Sequence, residues 1–218
     1  MTTQTLSAPE VYQGQFGEFT ITQSDRTGVI IYRAGLMIAA LSFAIGSALV
    51  LFNNHPINLT ALTPLFACFT LALGVSLLTI HIYMAVLHRI LQVFWAIGSI
   101  ASVGLALSSN EPLAITIYNH PLTLFGVGFT FVALTGIYFK EAFCFNRLET
   151  KVLTFTVPLL LLGHLMGILP IQGEQALLGI WAILFLVFAL RKTVQAIPAD
   201  IGDKSVFTYL KQQSLQKV

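Results

Sequence analysis

Six apolar stretches govern what this chain can fold into: residues 29–52, 61–84, 90–107, 121–139, 152–169 and 175–190. A bilayer's hydrocarbon core is about 30 Å thick and a helix rises about 1.5 Å per residue, so a span needs roughly 20 mostly apolar residues. Each stretch qualifies or nearly so, and each is apolar on all faces, as lipid-embedded helices are. Composition supports the same reading. Only 9% of the 218 residues are charged and 56% are hydrophobic, against about 25% charged in soluble domains. A surface so poor in charge must be solvated by lipid.

The eleven Lys and Arg residues set the orientation. Arg26 and Arg33 open the first stretch, Arg89 lies between the second and third, and Lys140, Arg147 and Lys151 lie between the fourth and fifth. Arg191, Lys192, Lys204, Lys211 and Lys217 follow the sixth. Alternating topology puts all of them on one side, which the positive-inside rule makes cytoplasmic. The expected fold class is therefore all-α: a polytopic bundle of six transmembrane helices with both termini inside. Residues 1–28 form a cytoplasmic N-terminal segment, 29–192 the membrane domain and 193–218 a cytoplasmic tail.

Breakers fall where connections are needed. Asn53-Asn54-His55-Pro56 closes the first span, Ser108 to Pro112 closes the third, and Pro170 to Glu174 turns the fifth into the sixth. His88-Arg89 marks a tight turn between the second and third. The run 113–118 is apolar but too short to cross. Gly14 and Gly17, set among β-prone residues, predict a short N-terminal hairpin. Asp203 is placed to cap an amphipathic helix bearing Val206, Phe207 and Leu210 on one side and lysines elsewhere.

Ionisable groups inside a membrane are costly, which makes them the first functional candidates. Every Asp and Glu is placed in a loop, a tail or a helix end, which weighs against an ion-coupled carrier. His164 is the exception. It is expected near the bilayer centre, with Pro158, Gly163 and Gly167 on the same helix. The pair Gly163 and Gly167 has the small-xxx-small spacing that lets helices approach closely. His164 thus becomes the candidate for binding a cofactor, a metal or a polar substrate. The alternative is a neutral imidazole bonded to a neighbouring helix. His81 and His88, seven apart near the cytoplasmic end of the second span, form a weaker metal pattern. Glu141 is expected to pair with Arg33 or Arg89 in a structural contact at the helix ends. Cys144, near Lys140 and Arg147, lacks a neighbouring base and reads as a packing residue.

Gly-x-Ser-Gly, His-Glu-x-x-His, dinucleotide and phosphate-loop sequences do not occur, so no enzyme is expected. A net charge of +2 with no basic run argues against a nucleic-acid partner. Cofactors are left unspecified. Three readings stand. The chain docks to, or helps assemble, a larger membrane complex through its cytoplasmic face; it is a small-molecule transporter or channel with a site near His164; or it binds a tetrapyrrole or metal.

The runs Tyr12-Gln13-Gly14-Gln15-Phe16-Gly17-Glu18-Phe19-Thr20-Ile21-Thr22, Asp25-Arg26-Thr27-Gly28, Tyr32-Arg33-Ala34-Gly35-Leu36, Lys140 to Phe145, and Pro158 with Gly163-His164 resemble a domain-of-unknown-function family. That family comprises uncharacterised integral membrane proteins of cyanobacterial and plastid type, and the resemblance spans about residues 11 to 192. It implies a bacterial thylakoid or plasma membrane as the setting and carries over no catalytic or ligand role.

Overall fold

The computed structural model describes residues 10–52, 59–82 and 84–215. The expected breaker Asn53 to Pro56 and the basic residue Lys217 lie outside them. Six helices are long and apolar enough to cross a membrane. They are α1 (Gln23–Phe52), α2 (Leu62–Thr79), α3 (Ala85–Ser108), α5 (Leu124–Phe145), α6 (Leu148–Leu165) and α7 (Ile171–Val194). Between α3 and α5 lies a short helix, α4 (Leu113–Asn119), at the extracytoplasmic end. On the cytoplasmic side, α8 (Ile197–Ile201) and α9 (Ser205–Leu215) follow the last span. Hydrocarbon cannot hydrogen-bond to backbone, so helices that satisfy their own N–H and C=O groups are the open solution here.

The spans pack in sequence order around the bundle, and α7 closes back on α1. Fully buried Leu36, Leu73, Leu77, Leu134, Ile137 and Phe185 fill the centre. Small residues bring the helices close, as packing without a hydrophobic driving force requires. Gly35 of α1 sits against the Ala72 carbonyl of α2, and a Cβ at Gly98 of α3 would overlap the Thr130 backbone of α5.

Several boundaries move from their expected places, each for a local reason. The first span begins at Gln23, not Val29, because Thr22 and Asp25 cap it reciprocally. The Asp25 N–H donates to Thr22 Oγ1 at 3.2 Å, and the Thr22 N–H donates to Asp25 Oδ2 at 2.8 Å. This is the logic of a capping box. α2 ends at Thr79 and α3 starts at Ala85, so His88-Arg89 lies within the first five residues of α3 rather than in a turn of its own. The expected long cytoplasmic loop after the fourth span is mostly helix. α5 runs on to Phe145, left-handed Asn146 (φ 51°) ends it, and α6 starts at Leu148. Cys144 is exposed on the bundle surface instead of packed.

The N-terminal hairpin forms as expected, with β1 (Val11–Gly14) antiparallel to β2 (Gly17–Thr20). The tail helix docks onto its tip. Asp203 Oδ2 accepts the Gln15 N–H at 2.6 Å, Ser205 Oγ accepts the Phe16 N–H at 3.0 Å, and the Phe16 ring stacks on Tyr209 with centroids 4.1 Å apart. A Cβ at Gly14 would overlap Asp203 and Ser205. Asp203 also caps α9, its Oδ1 accepting the Ser205 N–H at 2.9 Å.

The Ser205 hydroxyl, and after it the Gln15 N–H, hold the Asp203 carboxyl below its ordinary value. A depressed folded-state value means the dock is fully formed above the ordinary carboxylate range and weakens as pH falls through the lowered value. The protection factors of the Gln15 and Phe16 amides, taken relative to the intrinsic exchange rate at each pH, are expected to fall on acidification and to be low at neutral pH in Asp203→Ala.

Candidate functional site

The two ends of the bundle carry different chemistry. At the cytoplasmic end, four elements bring five charged side chains together. Arg33 of α1 donates from Nε and Nη2 to Asp200 Oδ2 of α8, at 2.8 and 2.6 Å. Lys192 of α7 contacts Asp200 Oδ1 and lies 2.9 Å from Glu141 Oε2 of α5. Lys140 reaches Glu141 Oε1 at 2.9 Å, and the Tyr32 hydroxyl donates to the same oxygen at 3.3 Å. The side chains of Lys192 and Glu141 are each only 1% exposed. The Lys192 ammonium also sits 4.6 Å from the Phe145 ring centroid, within cation–π range.

This replaces the expected partner of Glu141. It binds Lys192 and Lys140, while Arg33 takes Asp200, and Arg89 is exposed with no carboxylate partner among the described residues. The reason is geometric. Arg89 opens α3, whereas α5 and α7 present Glu141 and Lys192 to the bundle interior beside α1. Nearby, Arg191 donates to both oxygens of Glu149 at 2.9 Å. The expected face shared by His81 and His88 on the second span does not form, because α2 ends at Thr79, ahead of His81, and His88 belongs to α3. His81 Nε2 lies 3.9 Å from Asp25 Oδ1, and burial holds its imidazole below the ordinary value. His88 Nε2 bonds the Leu77 carbonyl at 2.6 Å.

At the extracytoplasmic end lies an apolar cavity of about 440 Å³. The ends of α1, α2, α5, α6 and α7 wall it and α4 lies alongside them; its liners include Val50, Phe66, Leu113, Tyr118, Phe131 and His164. Such a volume is in the range of small-molecule sites. His164 is not at the bilayer centre, as expected from sequence, but in the last turn of α6. The cause is a Schellman ending. The Ile168 N–H donates to the Gly163 carbonyl and the Gly167 N–H to the His164 carbonyl, both at 3.0 Å, with Gly167 left-handed at φ 64°. The Gly163 and Gly167 spacing thus serves the helix stop rather than a helix crossing; a Cβ at Gly163 would overlap Leu169 as it folds back.

The stop faces His164 toward the start of α7. His164 Nδ1 lies 2.7 Å from Glu174 Oε1, and Tyr118 of α4 stacks on the imidazole at 4.9 Å. The other ring nitrogen, Nε2, is buried and has no hydrogen-bond partner. A buried polar atom left unsatisfied costs about 1–3 kcal/mol, so this atom calls for an explanation. Glu174 was missed as a partner because sequence reading placed it in a turn. Its ten-residue distance from His164 across a helix stop is the signal that would have found it.

A model of the family described as "Uncharacterized integral membrane protein (DUF2301)" matches residues 75–209. That is more than half of the chain. The protein belongs to this family. It is accordingly an integral, multi-pass membrane protein. No curated protein and no solved structure matches it. The family segment contains Glu141, His164, Glu174, Lys192 and Asp200, so both clusters lie largely within it; Tyr32 and Arg33 precede it.

Removing Lys192 takes away the cation that bridges two buried carboxylates, leaving Glu141 with Lys140 and Asp200 with Arg33. Lys192→Met is expected to destabilise the detergent-solubilised protein by about 3–5 kcal/mol, the usual cost of breaking a buried pair. Adding Glu141→Gln to that variant, which leaves Asp200 paired with Arg33, is expected to restore part of the loss in thermal unfolding.

Proposed function

We propose that the protein is a non-enzymatic membrane protein that binds a small amphiphilic molecule in its extracytoplasmic cavity, with the His164–Glu174 pair as the polar end of the site. The observation that carries this reading is His164 Nε2, a buried polar atom without a partner on a residue lining an otherwise apolar cavity. Sites for small molecules have this character: apolar walls and a few placed polar groups. The cavity reaches Phe131, seven residues and about 10 Å into α5, which is depth enough for a tail-bearing ligand and for a carrier or a chaperoning role toward it.

This reading is preferred to docking on a larger complex through the cytoplasmic face. There the hairpin tip and the tail already satisfy each other through Asp203 and Ser205. It is preferred to metal binding because no group of three His, Cys, Asp or Glu side chains gathers among the described residues. A bacterial thylakoid or plasma membrane is the proposed setting.

A ligand that binds only the folded state raises its stability by mass action. Medium-chain alcohols such as decanol are expected to raise the thermal midpoint of the purified protein, and His164→Leu to abolish the rise, each shift being read against that protein's own unliganded midpoint. An equal shift in wild type and His164→Leu would reject the site.

A further inference from the structure

A second apolar cavity, of about 340 Å³, opens between α3, α5 and α6 in the cytoplasmic half of the bundle. Phe131 and Leu161 line both it and the extracytoplasmic cavity. The shared wall is one face of each helix. Thr154, Pro158, Leu161 and His164 of α6 follow one another at helical spacing along a single stripe, and so do Leu124, Phe131, Thr135 and Phe139 of α5. From Leu124 to Phe139 the stripe runs about 22 Å. Phe131 is held from behind by the aromatic core, its ring 5.3 Å from that of Trp181 and 5.8 Å from that of Phe69.

The polar end restricts the ligand's head. A carboxylate only accepts hydrogen bonds, and an imidazole that donates its Nδ1 hydrogen to Glu174 and carries no second proton presents a lone pair at Nε2. That atom accepts from a hydroxyl. Among the described residues no Lys or Arg lines either cavity, and by sequence none stands in an extracytoplasmic connection. An anionic head would therefore meet Glu174 with no cation to offset it.

Building on the cavity-binding reading above, we propose that the two cavities form one elongated site for a neutral, long-tailed lipid alcohol. Its hydroxyl donates to His164 Nε2 when Tyr118 shifts, and its tail passes between Phe131 and Leu161 into the second cavity. The first cavity alone takes short alcohols; the second selects for chain length. Glu174 fixes the tautomer that makes Nε2 an acceptor and is thus a positioning residue for the head.

The test is photo-crosslinking of the full-length purified protein with hexadecanol carrying a diazirine at the tail end. Its methyl ether, hexadecyl phosphate and an octanol diazirine serve as matched probes. Hexadecanol is expected to label α5 and α6 peptides around Val132, Thr135 and Thr154, and octanol to label only peptides near His164. The methyl ether, lacking the donor, is expected to label about fivefold less, the worth of one hydrogen bond, and the phosphate still less. Val132→Trp and Leu87→Trp each fill the second cavity from a different helix, and either is expected to abolish deep labelling by hexadecanol while leaving octanol labelling intact. If both chain lengths label only near His164, the elongated site is refuted while the cavity-binding reading survives. If hexadecyl phosphate labels as well as hexadecanol, the neutral head is refuted. Absence of competable labelling by every probe refutes both the elongated site and the reading beneath it.

Discussion

Hydrocarbon solvates apolar side chains freely and polar groups not at all, and the architecture follows from that asymmetry. Backbone groups are satisfied within six helices, and helix contacts rely on glycines such as Gly35 and Gly98 rather than on expulsion of water. Under the same constraint a buried ion is tolerated only when fully partnered. Lys192 meets this condition with Glu141, Asp200 and the Phe145 ring, and through them α5, α7 and α8 are drawn to α1. His164 Nε2 does not meet it. One end of the bundle is electrostatically closed, and the other holds an unsatisfied ring nitrogen beside an apolar cavity.

That contrast explains the division of labour along the chain. The cytoplasmic cluster has every charged group engaged, so it reads as a clamp that fixes the helix ends. The extracytoplasmic pair is built differently. Its two residues come from either side of a helix stop, Tyr118 of a short helix covers the ring, and the cavity walls are drawn from five spans. A rigid base and a covered cavity are what a site for a membrane-dissolved ligand requires.

Much of this layout was legible in the sequence. Basic residues on one side set the topology, Gly14 and Gly17 marked the hairpin, and Asp203 marked the tail helix. His164 stood out as the ionisable residue of a span. Other features were hidden for physical reasons. The depth of His164 was misjudged because Gly167 reads as a small residue within a helix, whereas its left-handed conformation ends that helix. Lys192 looked like one more basic residue after the last span, and Asp200 like part of a solvated tail. Asp200 pairs with Arg33, 167 residues earlier in the chain, and Lys192 with Glu141, and hydropathy carries no information about such contacts.

The central claim is that His164 marks a site for a neutral lipid bearing a hydroxyl. Native mass spectrometry of the protein released from its own membranes tests this most directly. The account predicts one co-purifying neutral lipid alcohol in near-stoichiometric amount, retained by wild type and lost from a variant lacking the imidazole. Recovery of phospholipids alone, in bulk-membrane proportions and equally from both proteins, would contradict it.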